Sequence, residues 1–140
     1  MATDLPPGAG VMLRSFVESE QGLLSALGAD LARLEAGAVT IEIPADEALA
    51  DPDGQVPRGV GSTLVESVGE LAVRTLTDDP VNAPVETVTL NAKFLAAADG
   101  ALAATAEAAR IDDGVGVSSV AVEAETDGEP VVTGQVVFNV

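Results

Sequence analysis

The sequence predicts one α+β domain in which an antiparallel sheet wraps around a single long helix. Apolar residues recur at helical spacing between Gly54 and Leu76, and this pattern predicts the helix. A hairpin pattern before this segment and four alternating apolar and polar runs after Pro84 predict the sheet. A chain of 140 residues is long enough for one buried core of this kind, and residues 1–8 are expected to form a flexible tail.

The segment Gly54–Leu76 is the central helix of this prediction. Pro57 and Gly59 mark its start, and the run Asp78-Asp79-Pro80 stops it. The buried stripe of the helix would consist of six apolar residues: Val60, Leu64, Val68, Leu71, Ala72 and Leu76. The opposite row would consist of polar residues spaced by four: Ser62, Glu66, Glu70 and Arg74.

A shorter helix and a hairpin are predicted before the central helix. The helix covers Val11–Leu27 and ends at Gly28, a typical C-cap residue. The hairpin has strands at Ala29–Ala36 and Ala38–Pro44, with residues of alternating polarity in the second. The segment Ala45–Arg58 is long and irregular, and a loop of this length in a compact domain is typical of a functional or mobile segment.

Four strands are predicted after the central helix, at residues 87–94, 101–111, 115–126 and 131–140. The second of these runs is rich in alanine, but turn signals on both sides favour a strand over a helix. Because short turns such as Asp99–Gly100 and Asp127–Gly128 join the strands, we expect all four to pair with their neighbours in antiparallel order. Pairing of edge strands from two copies would continue the sheet into a dimer.

The composition is strongly acidic. Asp and Glu number 23 against 6 basic residues, and the net charge is −17. Such a charge argues against nucleic acid or an anionic membrane as a partner. The apolar content of 47% excludes a disordered chain. Acid-rich, lysine-poor composition with an apolar core resembles that of proteins from salt-loving archaea, in which salt screens the repulsion between surface acids, and an ordinary acidic cytosolic protein is the alternative.

The chain contains no cysteine and no histidine. Disulfides, thiol chemistry, zinc sites of the usual kind and catalytic triads with an imidazole base are therefore excluded. No apolar run approaches the ~20 residues of a membrane helix, and the N-terminal segment lacks the basic and apolar pattern of a leader. We expect a cytoplasmic protein.

A motif runs from the irregular segment into the central helix. The residues Asp51-Pro52-Asp53-Gly54-Gln55-Val56-Pro57-Arg58-Gly59 are followed by six others and then by Glu66. This run resembles the motif of the hotdog-fold acyl-CoA thioesterases, in particular their PaaI-like branch, which reads Asn-x-x-Gly-x-x-His-Gly-Gly, six residues, and a catalytic Asp or Glu. The likeness covers about Phe16 to Val140, including TVTLNAKFLAAADGALAATAEA, which looks like the family's next strand pair.

Three residues keep the motif and three depart from it. Gly54, Gly59 and Glu66 are kept, whereas Asp51, Pro57 and Arg58 stand where the family has Asn, His and Gly. The resemblance implies hydrolysis of an acyl-CoA thioester without a cofactor. It implies that Glu66 acts as nucleophile or general base, and that the Gly59 amide stabilises the oxyanion of the carbonyl under attack.

The two catalytic residues are about 10 Å apart along one helix at 1.5 Å per residue, so one carbonyl cannot easily touch both in the same chain. The resemblance accordingly implies a homodimer or homotetramer, with Gly59 from one chain and Glu66 from another. Further residues are expected to line the substrate site: Asp51, Gly54, Pro57, Arg58, Val60, Ser67, Glu70, Asn91, Lys93 and Phe94. Among them, Arg58 and Lys93, together with Arg110, are candidates for binding the phosphates of CoA.

Other interpretations remain open at this stage. Glu66 also fits a solvated helix face, in which Glu70–Arg74 is an ordinary ion pair. The run Asp51-Pro52-Asp53-Gly54 has part of the pattern of a calcium loop, but the absence of further acids at the required spacing favours a turn. A non-catalytic hotdog module that binds acyl-CoA or serves in oligomerisation is the alternative function, since the His and Asn of the motif are absent.

Overall fold

The predicted fold class is confirmed. The structure, a computed structural model, describes residues 5–20, 22–111 and 113–140. A six-stranded antiparallel sheet carries one long helix on one of its faces. Within these described ranges, no helix is both long and apolar enough to cross a lipid bilayer.

The long helix, α3, spans Arg58–Arg74. Its start agrees with the entry predicted at Pro57 and Gly59, and residues 54–57 of the predicted segment precede it. Pro57 is its N-cap, with an extended ψ of 145°. Proline disfavours a helical conformation of the residue before it, and the N–H of Val56 is instead bonded to the carbonyl of Ala98 at 2.7 Å. At the other end, the hydroxyl of Thr75 accepts from the N–H of Gly37, which ties the helix to the turn of the N-terminal hairpin.

The N-terminal helical segment is divided into shorter pieces. Helix α1 covers Ala9–Ser15, a π-helical turn follows at Phe16–Glu20, and helix α2 covers Gly22–Ala26. Gly28 follows with a φ of 75°, which fits the predicted C-cap. In the irregular segment, one short 3-10 helix forms at Glu47–Leu49.

The strands fall close to their predicted positions. Their bounds are β1 Asp30–Glu35, β2 Ala38–Ile43, β3 Glu86–Phe94, β4 Leu102–Ile111, β5 Val115–Ala124 and β6 Pro130–Asn139. The order in the sheet is β1-β2-β4-β5-β6-β3, and every pair is antiparallel.

The expected pairing of β3 with β4 across an Asp99–Gly100 hairpin is wrong. Strand β3 lies at the edge of the sheet beside β6, and β4 pairs with β2. Residues 95–101 cross the end of the sheet instead of turning back. The N–H of Leu95 bonds to the carbonyl of Val131, and the carbonyl of Ala101 accepts from the N–H of Glu125. These bonds hold the connection across the ends of β5 and β6.

The core lies between α3 and the inner face of the sheet, by which we mean the face that carries this helix. Two glycines allow the helix to approach the sheet closely. A Cβ on Gly61 would stand 2.7 Å from a methyl group of Val132, and one on Gly69 would stand 3.2 Å from Ser118. The hydroxyl of the fully buried Ser118 donates to the carbonyl of Gly69 at 2.7 Å, so the hydroxyl is satisfied and anchors the middle of the helix.

The two edges of the sheet differ. At the β1 edge, the Leu31 carbonyl accepts from the Arg14 guanidinium at 2.6 Å, and the Leu31 N–H donates to the Glu18 carboxylate at 3.2 Å. At the β3 edge, the strand is exposed on both faces, and the apolar side chains of Val88 and Leu90 are 52% and 38% exposed. Large apolar groups on an open strand edge mark an interaction surface.

Candidate active site

The loop before α3 is built around the carboxylate of Asp51. One oxygen of this carboxylate accepts from the N–H groups of Asp53 and Gln55 at 2.9 and 3.0 Å. The backbone closes the same turn through the N–H of Gly54, whose φ of 80° requires the glycine. Asp51, which stands where the motif has Asn, therefore orders this loop. The run from Asp51 to Gly54 is a turn, and the described residues contain no cluster of acids suited to a metal ion.

Gly59 is the second residue of α3. The N–H of a residue in the first helical turn has no acceptor one turn earlier in the helix, so it is available to an anionic oxygen. Gly59 is exposed, and a Cβ built on it would have no atom within 4 Å. Neither a positive φ nor close packing within this chain requires a glycine here. The glycine leaves space for a group from outside the chain.

Glu66 is exposed at the middle of a row that runs along one side of α3 with a spacing of four residues: Arg58, Ser62, Glu66, Glu70 and Arg74. The guanidinium of Arg58 lies 5.7 Å from the ring centroid of Phe94, which ends β3. The guanidinium of Arg74 donates to the carbonyls of Pro80 and Ala83, which lead into β3. The row of side chains therefore runs alongside β3 and antiparallel to it. Glu66, at the centre of the row, lies beside the middle of this exposed edge strand.

Glu70 forms the ion pair that the spacing predicts. Its carboxylate accepts from Nε of Arg74 at 2.9 Å, and the two side chains are 28% and 14% exposed. Arg74 also bonds to three backbone carbonyls between residues 80 and 83. This pair holds the segment between α3 and β3 in place.

A cavity of about 430 Å³ opens beside the start of α3; we call it the entrance cavity. Its mouth contains the polar residues Asp51, Gln55 and Arg58, together with Phe94. Its interior is apolar and is lined by buried side chains of three strands: Leu102, Val122, Val131 and Val132. Pro57, Arg58 and Gly61 also line it, so the cavity lies beside the first turn of the helix that carries Gly59.

Arg58 is a cation without a carboxylate partner in the described part of the chain. The ion pairs found there are Arg14–Glu18, Arg33–Glu35 and Arg74–Glu70. Arg58 instead lies over the ring of Phe94 at the mouth of the cavity. The mouth therefore contains one cation, Arg58, and one carboxylate, Asp51, that do not form an ion pair with each other, although the chain as a whole carries −17.

The other predicted site residues are distributed over two faces of the sheet. Leu90 and Phe94 pair with the buried Val136 and Val132, whereas Asn91 and Lys93 pair with Gln135 and Thr133. Asn91 and Lys93 thus point to the outer face, away from Glu66 of their own chain, where they line a broad depression.

Four further predicted positions lie elsewhere. Val60 lines a second, smaller cavity beside residues 43–50, and Gly54 lines it as well. Ser67 is half-buried on α3 next to Glu66. The backbone of Arg110 belongs to β4, but its side chain lies outside the described residues.

Sequence reasoning did not identify the apolar wall of the entrance cavity. Part of this wall is formed by residues 95–98, which were assigned to a simple connection between strands. The run Leu95-Ala96-Ala97-Ala98 after Phe94 was the available signal, because small apolar residues outside a strand leave space for a ligand.

Comparison with known proteins places this geometry in a family. No protein-family model matches the chain. Among curated proteins, the "Putative esterase VNG_1336C" of Halobacterium salinarum is 36% identical over 122 residues, which cover 85% of this chain and 80% of that protein. Its source, a halophilic archaeon, agrees with the acid-rich composition of this chain.

Solved structures share the architecture. A phenylacetic acid degradation-related protein of Ralstonia eutropha JMP134 superposes with a TM-score of 0.80 at 25% identity, over 94% of this chain and 98% of that one. Thioesterase HI1161 of Haemophilus influenzae gives 0.78 at 19% identity, over 91% and 86%. Zebra fish Thioesterase Superfamily Member 2 gives 0.77 at 18%, over 91% and 93%. From its sequence relative and its fold together, the chain belongs to the hotdog-fold thioesterase superfamily.

Proposed function

We propose that this protein hydrolyses the thioester bond of an acyl-CoA at a site formed by two copies of the chain. One copy supplies the amide of Gly59 and the other supplies the carboxylate of Glu66. The observation that carries the proposal is that both residues are exposed on the same helix, about 10 Å apart at 1.5 Å per residue. The relatives named thioesterase or esterase support hydrolysis as the reaction class.

The difference between the sheet edges supports a two-fold pairing through β3. Glu66 lies beside the middle of this strand, whose apolar side chains face solvent in the single chain. Antiparallel addition of a second β3 would cover them and bring a second α3 alongside the first in the opposite direction. The Glu66 of one helix would then approach the Gly59 of the other, as a self-complementary interface requires.

The chemistry follows from the charge that develops on the substrate. Attack on the carbonyl carbon breaks the C=O π bond and places negative charge on the oxygen. An amide at the N-terminus of α3 stabilises this charge, because its N–H is fixed and the helix dipole is positive there. Collapse of the tetrahedral intermediate expels the CoA thiolate, which takes up a proton to give the thiol.

Two routes use the Glu66 carboxylate. As a general base it accepts a proton from water while the water oxygen attacks the carbonyl, and the carboxylic acid and thiol form directly. As a nucleophile it forms a mixed anhydride and releases the thiol, and water then hydrolyses the anhydride. A single turnover in ¹⁸O-labelled water distinguishes them, since only the second route places the label in the Glu66 carboxylate.

The proposed function is tested with short-chain and aromatic acyl-CoAs in high salt, comparing the wild type with Glu66→Gln. We expect turnover by the wild type and a loss of at least about 100-fold in kcat for the variant, the range for removal of a positioned acid or base. The control is Glu125→Gln, an exposed acid in the β5–β6 turn. Equal rates for Glu66→Gln and wild type would remove Glu66 from the mechanism. Binding of acyl-CoA without turnover would instead identify a binding module.

The two-chain site is tested by mixing two inactive variants, Glu66→Gln and Gly59→Val. Random exchange gives mixed dimers as about half of all dimers, and each mixed dimer has one intact site out of two. The mixture should therefore recover about one quarter of wild-type activity. If activity does not return although exchange is shown by native mass spectrometry, the site is not shared between chains.

A further inference from the structure

Two cavities in the described part of the chain share one wall. The first is the entrance cavity of about 430 Å³ beside the start of α3. The second, which we call the inner cavity, holds about 140 Å³ between residues 43–50 and Val60. Val56 and Leu102 line both cavities and so form the wall between them.

The two residues of this wall are held in different ways. Leu102 belongs to the central strand β4, where it pairs with Ile43 and Ala124 and is only 2% exposed. Val56 lies in the loop before α3 and is half-buried. Its backbone is fixed by the bond from its N–H to the carbonyl of Ala98 at 2.7 Å, but its side chain belongs to no helix or strand. The Val56 side chain is therefore the part of the wall that can be changed with least effect on the sheet.

The chemistry of the entrance cavity defines what it can hold. Its polar residues are at the mouth, whereas Val122, Val131 and Val132 line its interior. A polar or charged group at the far end of a ligand would be buried there without a partner, at a cost of several kcal/mol. The volume lies within the usual range of about 300–1,000 Å³ for small-molecule sites.

On the basis of the proposed function, we propose that the entrance cavity binds an apolar acyl group and that Val56 sets the maximum length of that group. The thioester carbonyl lies at the mouth, next to the Gly59 amide. The acyl chain extends inward until it meets the Val56 side chain, and the inner cavity stays empty behind it. The substrate class is thus an unsubstituted aliphatic or aromatic acyl-CoA, rather than one whose acyl group ends in a carboxylate or a hydroxyl.

The prediction is tested by changing the cavity in both directions. Val56→Ala removes part of the wall and opens the entrance cavity into the inner one, so longer acyl chains should fit. Ala97→Leu adds bulk at an exposed position of the cavity wall, so only shorter chains should fit. The control is Ala48→Leu, a substitution at an exposed residue that lines neither cavity. Thermal melts of all three variants verify that each is folded.

The measurement is kcat/KM for straight-chain acyl-CoAs from acetyl to dodecanoyl, with succinyl-CoA compared with butyryl-CoA. We expect Val56→Ala to raise the ratio of long-chain to short-chain kcat/KM by about tenfold or more, because one methylene in an apolar pocket is worth that much. Ala97→Leu should lower this ratio, Ala48→Leu should leave it unchanged, and wild type should prefer butyryl-CoA.

Dissociation constants of the corresponding non-hydrolysable thioether analogues are measured in parallel. The inference would be overturned if kcat/KM or the dissociation constant depended on acyl-chain length in the same way in Val56→Ala and wild type. A wild-type preference for succinyl-CoA over butyryl-CoA would also overturn it. Absence of turnover at every chain length would refute the proposed hydrolysis. The length limit would then be decided by the binding profile alone, so the two failures are distinguishable.

Discussion

Replacing Gly59 with alanine should make the protein more stable and less active. Position 59 is helical and exposed, and a Cβ there would meet no atom within 4 Å in the chain. Alanine is more favourable than glycine in a helix by up to about 1 kcal/mol, and a gain of this size corresponds to a rise in Tm of about 4 °C for a chain of this length. The added methyl group would, however, stand where the thioester has to approach the backbone.

The matched control is the same substitution two residues further along, Gly61→Ala. Its Cβ would lie 2.7 Å from a methyl group of the buried Val132, so the packing has to shift. Overpacking of this kind costs about 1–3 kcal/mol, which exceeds the gain in helix propensity. We therefore expect opposite signs for the two substitutions in urea denaturation.

The assay combines urea denaturation with kcat/KM on the best acyl-CoA substrate. Gly59→Ala should raise the free energy of unfolding and lower kcat/KM by tenfold or more, since removal of one oxyanion donor costs about 100-fold or more and partial blocking costs less. A Gly59→Ala variant with wild-type kcat/KM would refute the assignment of this amide to the oxyanion. A fall in stability would refute the argument that no packing requires the glycine.

Three further outcomes follow from the described contacts. Arg58→Gln should raise KM for acyl-CoA several-fold but leave KM unchanged for an acyl-pantetheine, which lacks the nucleotide. The control Arg33→Gln, which removes a surface ion pair, should change neither KM value. Equal effects of Arg58→Gln on both thioesters would show that Arg58 does not bind the CoA phosphates. Ser118→Ala should lower the free energy of unfolding by about 0.5–1.5 kcal/mol in urea titrations, because the Gly69 carbonyl keeps its bond within the helix but loses the second bond from Ser118. Asp51→Ala should release the loop before α3, seen as faster amide hydrogen exchange at Asp53, with Asp127→Ala as the control in another turn; unchanged exchange at Asp53 would contradict the loop-ordering role.

Local patterns were sufficient to predict the elements of this fold. The apolar stripe of α3 and the alternation along β5 depend only on residues close in sequence, and both were located to within a few residues. Gly28 and Gly54 were recognised as turn residues, and their positive φ values are the physical reason. The start of α3 lies where Pro57 and Gly59 mark it, because proline disfavours a helical conformation at Val56.

Long-range contacts were not predictable in the same way. The position of β3 beside β6 depends on where residues 95–101 cross the sheet, and the Asp99–Gly100 pair carries the same local signal in a hairpin and in a crossing connection. The entrance cavity is formed by four separate segments, so no single stretch of sequence contains it. The family motif points to Glu66 and Gly59, and their separation along one helix is the reason why the proposed site includes a second chain.

The bonds of Arg14 and Glu18 to the backbone of Leu31 have a consequence for the size of the assembly. A chain whose sheet can pair with other copies at both of its edge strands polymerises without limit and forms fibres. Here side chains of the same molecule bond to the backbone of Leu31 at the β1 border, and the proposed pairing uses the open β3 border. In the proposed pairing through β3, growth by strand addition ends after a single step, which leaves an assembly of finite size.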